Sequence, residues 1–144
     1  MNTLTYNPDT NLLYTTNAMI DGHRITTIDA DTMSIGNTIT IPERVFNLAY
    51  DKKTNQFMSI VPVDATMRRI NYYTSQFQLV QSKDIDANYD DYNNNGAFAN
   101  DGKTIFATLS TVITVDKTGN VTKIASFPKN LEIEDMDMRH NIMY

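Results

Sequence analysis

Residues 6–14 read YNPDTNLLY, and the same nine-position frame returns without a gap at 50–58 (YDKKTNQFM), 98–106 (FANDGKTIF) and 136–144 (MDMRHNIMY). Each copy opens on a large apolar or aromatic side chain (Tyr6, Tyr50, Phe98, Met136) and closes on another (Tyr14, Met58, Phe106, Tyr144). The sixth position is Asn or Lys throughout (Asn11, Asn55, Lys103, Asn141), within a polar stretch. Asp, Asn, Pro and Gly accept left-handed or locally hydrogen-bonded backbone, so each copy predicts a hairpin. In the third, Asn100-Asp101-Gly102-Lys103 sets Asp-Gly at the turn, a strong hairpin signal. Successive copies begin 44, 48 and 38 residues apart, the period of a repeated four-stranded unit.

A second hairpin follows each of the first three. It spans Arg24 to Ile41 with a turn at Asp29-Ala30-Asp31-Thr32, Met67 to Gln81 with a turn around Tyr73-Thr74-Ser75, and Val112 to Phe127 with a turn at Lys117-Thr118-Gly119-Asn120. Ile, Val, Thr and Phe dominate these stretches, types that fit a pleated surface. No segment keeps helical spacing over three turns. The strands therefore count four, four, four and two. The chain reads as all-β, a partial β-propeller of three four-stranded antiparallel blades plus half of a fourth. Blade 1 is expected at about 3–42, blade 2 at about 45–83, blade 3 at about 94–128 and the half blade at 131–144. Blades bury their faces against neighbours, and closed rings use roughly four to eight of them. Three and a half do not close a ring. The expectation is a piece of a longer chain, a second copy that completes the ring, or an array capped in another way.

Across 144 residues, 41% are hydrophobic and 20% charged, a globular balance. No apolar run is long enough to span a bilayer as a helix. Met1 is not followed by a charged and then an apolar region, so no signal peptide is read here. It runs almost directly into strand-like residues, and we expect it to replace a natural leader of an extracytoplasmic protein. Cysteine is absent, which excludes disulfides, thiolate metal sites and cysteine nucleophiles. A net charge of −5 argues against nucleic acid and anionic lipid as partners.

At Tyr14-Thr15-Thr16-Asn17 and the following ITTIDADTMSIGNTITIP, the chain resembles the YVTN-type β-propeller repeat, whose second hairpin has the form V-I-D-x-x-T-x-x-V. Tyr14, Thr16, Asn17, Ile28, Asp29 and Thr32 fall where that pattern asks. Blade 2 keeps Thr54 and Asn55 but departs at Ser59-Ile60, and blade 3 keeps Val115-Asp116 and Thr118-Gly119 but reads FATL for the name motif. The resemblance implies a propeller, often seven-bladed, common in exported or surface-associated microbial proteins. Related propellers serve as surface-layer, ligand-binding or scaffolding modules and as platforms in quinoprotein and lactonase enzymes. Fold follows from it more firmly than chemistry.

Several groups are candidate sites. In Lys83 to Gly96, Asp84, Asp86, Asn88 and Asp90 alternate as hard oxygen ligands, like the first half of a calcium loop. Tyr89 stands at the sixth position in place of Gly and Asn95 at the twelfth in place of Glu, so a plain solvated connection is the competing reading. Glu43 and Arg44 lie between blades 1 and 2, and Asp64 and Arg68-Arg69 flank a loop of blade 2. These groups are candidates to orient a small ligand near the ring axis, or to make ordinary ion pairs between blades. Tyr89 and Tyr92, with Tyr72 and Tyr73, are aromatics that stack on sugars, anchor a protein or pack between blades. His23 and His140 fall in loops expected on opposite faces, which disfavours a shared metal. Asn120-Val121-Thr122 fits a glycosylation sequon, which a turn also explains. No nucleophile elbow, phosphate loop or dinucleotide fingerprint is present. The functional expectation is a non-catalytic binding or scaffold propeller for protein or glycan, without a cofactor. The alternative is an enzyme or enzyme subunit of lactonase or quinoprotein type.

Overall fold

The computed structural model describes residues 3–17, 22–64, 66–86, 94–100, 103–108, 111–116, 118, 120–128, 138–139 and 142–143. These residues form strands and connections without a helix. Strands β1 (Thr3–Asn7), β2 (Leu12–Asn17), β3 (Gly22–Asp29) and β4 (Ile35–Thr40) make one antiparallel sheet in chain order. β5 (Ala49–Asp51), β6 (Gln56–Pro62), β7 (Met67–Thr74) and β8 (Leu79–Asp86) make a second. β9 (Asn94–Asn100), β10 (Lys103–Thr108), β11 (Thr111–Asp116) and β12 (Val121–Ser126) make a third. β13 (Met138–Arg139) pairs with β14 (Ile142–Met143) as a two-stranded remnant. The all-β arrangement of three four-stranded sheets and half of another is as the sequence predicts.

The repeat owes its pattern to the geometry of the first hairpin. Its second position pairs with its seventh in the first three copies: Asn7 with Leu12, Asp51 with Gln56 and Ala99 with Thr104. Asn11 and Asn55 have φ of 54° and 53°, a left-handed conformation that asparagine tolerates better than most residues. The Asn side chain also accepts from the opening tyrosine: Tyr6 Oη donates to Asn11 Oδ1 and Tyr50 Oη to Asn55 Oδ1, both at 2.9 Å. Asn7 and Asp51 cap the same turns, accepting from the backbone N–H of Asp9 and Lys53. In the third copy the ladder extends by one pair, Asn100 with Lys103, leaving Asp101-Gly102 as the link. The fourth departs: Arg139 pairs with Ile142, so its register is offset from the others.

The second sheet is covered on both faces. Phe57 and Tyr73 turn to the first sheet, where Tyr14, Ile25, Ile41, Val45, Leu48, Tyr50 and Phe77 complete a core. Met58, Ile60 and Ile70 turn the other way and pack with Ile113 and Val115 of the third. Neighbouring residues on a strand point to opposite faces, so one sheet seals two seams.

Two sequence expectations shift. The second hairpin of blade 2 turns between Thr74 and Leu79 rather than around Tyr73, which is buried in β7. Strand β8 runs on to Asp86, past the expected end near residue 83. The later turn serves packing. Phe77 takes φ 61° and is 5% exposed, its ring stacked 4.5 Å from Phe57 and tilted against Tyr14 at 5.6 Å. Tertiary contacts hold a conformation that costs a non-glycine residue roughly 1–2 kcal/mol. Phe77→Ala should destabilise the chain by about 3–5 kcal/mol in urea unfolding. Phe77→Gly, which loses the same ring but relieves the backbone, should unfold at an equal or higher urea midpoint than Phe77→Ala, reversing the usual order of the two residues.

Candidate functional site at the connection end of the blades

In a meander sheet the links alternate between two ends. The β2–β3 and β6–β7 turns share an end with the connections between blades, and most candidate residues lie there. The link from blade 1 to blade 2 is strapped to the start of β3. Ile41 N donates to His23 O at 2.9 Å, Val45 N donates to Gly22 O at 2.8 Å, and His23 Nδ1 donates to Ile41 O at 3.3 Å. Ile41 and Val45 are buried beneath it, which lifts Pro42 and Arg44 to the surface. The exposed Arg44 guanidinium lies 5.0 Å from the centre of the Phe46 ring. Glu43, half-buried, sits close enough to Tyr73 that its charge adds to burial in pushing that phenol above the usual tyrosine range.

The other charged candidates serve their own blade. Asp64 Oδ1 accepts from Thr66 N and Met67 N, both at 2.8 Å, and from Thr66 Oγ1 at 3.2 Å. These backbone donors hold its carboxyl below the ordinary carboxylate range. Arg68, a candidate for ligand contact or for an ordinary ion pair, is 2% exposed. Its Nη1 donates to the carbonyls of Asp64 and Met67 at 2.9 and 3.0 Å. Arg68 shares its strand face with Ile70, which sends it into the seam with the third sheet. Arg69 is the exposed one. It forms a bidentate pair with Asp84 across the β7–β8 ladder, Nε to Oδ1 at 2.6 Å and Nη2 to Oδ2 at 2.9 Å.

Asp84 and Asp86 thus lie in β8 rather than in a loop, and Asp84 is already engaged. Asn88, Tyr89, Asp90 and Tyr92 lie outside the described residues, as do Asp21, His140 and Tyr144. Among the described residues no three His, Asp or Glu side chains gather as a metal would require. Calcium titration is expected to leave the unfolding midpoint unchanged. A large upward shift abolished by Asp86→Ala would establish a site there.

The opposite end carries a device that the sequence displayed without explaining. Asp29 Oδ1 accepts from Asp31 N, Thr32 N and Thr32 Oγ1 at 3.1, 2.8 and 2.9 Å. Asp116 Oδ1 accepts from Thr118 N, Thr118 Oγ1 and Asn120 N at 2.7, 2.5 and 3.0 Å. In blade 2 the Thr74 hydroxyl fills the role, accepting from Gln76 N and Gln78 N. The Asp and Thr of the second hairpin are therefore a turn cap. Asn120 Nδ2 is drawn into it, bonded to Asp116 Oδ2 and Thr118 Oγ1, which accounts for the Asn of the sequon.

Solved structures place this architecture among the β-propellers. The chain is similar to the Kuenenia stuttgartiensis hydrazine synthase (14% identity over 94% of this chain and 38% of that one, TM-score 0.57). It is similar to the RRP9 WD40 repeats (12%, 94% and 41%, TM-score 0.60) and to streptogramin B lyase (12%, 93% and 43%, TM-score 0.59). It spans about two fifths of the length of each. At such identities the likeness is one of fold, and these neighbours include enzymes. No protein-family model matches the sequence, and neither does any curated protein.

The capped turns set an acid limit. Donated hydrogen bonds depress Asp29, Asp64 and Asp116 below the ordinary 3.8 in the folded chain. Their contribution is complete above that value and is lost as pH falls through the lower, folded values. Stability should therefore drop below pH 3.8, and a combined Asp29→Asn and Asp116→Asn variant should show a shallower acid slope in urea unfolding.

Proposed function

We propose that the chain forms part of a non-catalytic binding or scaffold propeller of the YVTN type, which recognises a protein or glycan through the connection end of its blades. The supporting observation is how the charged groups of that end are used. Asp64 caps its own turn, Arg68 goes into a seam, and Arg69 and Asp84 hold each other. Presented at the surface is Arg44 over Phe46, a cation and an aromatic of the kind that anchors partners. A lactonase or quinoprotein reading would require carboxylates converging on a metal or a cofactor, whereas these groups serve structure. The repeat resemblance supports an exported or surface-associated setting, and the absence of cysteine is compatible with one.

The cysteine-free chain allows a direct test. Pro42→Cys, exposed in the same connection and carrying a photo-crosslinker, should give a discrete adduct with a protein or glycan partner, while Met33→Cys, at the other end, should not. Equal labelling from both positions, or metal-dependent lactone hydrolysis by the unmodified chain, would refute this reading.

A further inference from the structure

The seam between the first two sheets reveals what covers the leading face of a blade. On the second sheet, Leu48, Tyr50 and Phe57 face blade 1 and are 0, 8 and 0% exposed. Tyr50 Oη lies 3.0 Å from Asp9 Oδ2 of the first blade's turn and 2.9 Å from Asn55 Oδ1 of its own. Phe57 lies 4.7 Å from the Tyr14 ring. The seam is thus specified by an acidic turn residue and an aromatic second strand on one blade, meeting a phenol and a hydrophobe on the next.

The first sheet repeats the receiving half of that arrangement on its other face. Leu4, Tyr6 and Leu13 stand at the positions of Leu48, Tyr50 and Phe57. β1 alternates so that Thr3, Thr5 and Asn7 are buried while Leu4 and Tyr6 are 40 and 48% exposed. Leu13 sits opposite Tyr6 and Ile28 opposite Leu13, which extends the apolar row across three strands. Tyr6 keeps the bond to its own turn, Asn11 Oδ1. Among the described residues it has no counterpart of the carboxylate that Tyr50 receives from Asp9. Tyr14 does not belong to this exposed row, although it sits in the same blade: it is buried on the opposite face.

We infer that Leu4, Tyr6, Leu13 and Ile28 dock a further β-blade from outside these 144 residues, one whose first turn offers a carboxylate to Tyr6 and whose second strand lays an aromatic ring over Leu13. The inference is independent of what the connection end binds. A second copy of this chain fits poorly. Its half blade has Arg139 at the sequence position of Asp9, so it lacks the carboxylate there, and its β13–β14 register is offset from that of the first hairpins.

Blade 1 itself carries the required chemistry and supplies the probe. Residues 3–48 are duplicated ahead of Thr5, so that the added blade joins through the chain's own connection and Leu48 takes the place of Leu4. Nitration of Tyr6 on the junction peptide should fall to the level of Tyr50, and the unfolding midpoint should rise by several degrees in one transition. Asp9→Lys in the added copy alone should restore nitration and reverse the rise. A protease-sensitive added blade with Tyr6 nitrated as before would overturn the inference. So would a dimer of the unextended chain, found by sedimentation, in which Tyr6 is already protected.

Discussion

Phe57 is fully buried between two sheets and is covered from both. Tyr14 approaches from the first blade, Tyr50 from the neighbouring strand and Phe77 from a turn that folds back, at 4.7, 4.9 and 4.5 Å. A four-stranded sheet has two faces and cannot bury either alone, so its stability rests on sheet-to-sheet contacts of this kind. Several other features are arranged around this seam. The left-handed backbone at Phe77 places a ring in it, the strap from Ile41 to Val45 closes one end, and the Tyr50–Asp9 bond closes the other.

The hydroxyl at that second closure is strongly perturbed. Burial, and then the Asp9 carboxylate, raise the Tyr50 phenol to about 12, so it remains a donor across the physiological range. Lys52 adds a looser, exposed pair with Asp9 at 3.8 Å. Thr5 and Thr3 hydroxyls also reach across to the carbonyl of Leu48. Innermost strands are thus joined by side-chain hydrogen bonds, where short β5 has little ladder of its own to offer. Among the described residues, the seam toward the third sheet gathers Met58, Ile60, Ile70, Ile113 and Val115, with Tyr72 packed against them and its phenol raised by burial and by Asp116.

Most of the architecture was legible because the repeat encodes backbone geometry. A left-handed asparagine and a tyrosine that reaches it fix two positions in each of the first two hairpins, and the spacing of the copies then counts blades. Other features were hidden for identifiable reasons. Phe77 sits in a turn, where sequence reasoning expects solvent, and tertiary contact overrode that expectation. In β7, Arg68, Ile70 and Tyr72 share one face and Asn71 and Tyr73 the other; with both faces covered, alternation no longer separates inside from outside. Burial of Arg68 is therefore not legible from its place in the strand pattern. The polar end of β8, Lys83 to Asp86, resembles a connection because an outer strand is largely solvated. The fold is shared by enzymes and non-enzymes, so function resides in individual side chains.

Blades are stabilised by their neighbours rather than individually. Hydrogen exchange of Phe57→Ala tests this directly, because the residue belongs to the second sheet while its main contacts include the first. Amides of β2 and β3 should lose protection together with those of β6 and β7. Loss confined to β5 through β8, with the first sheet as protected as before, would contradict it.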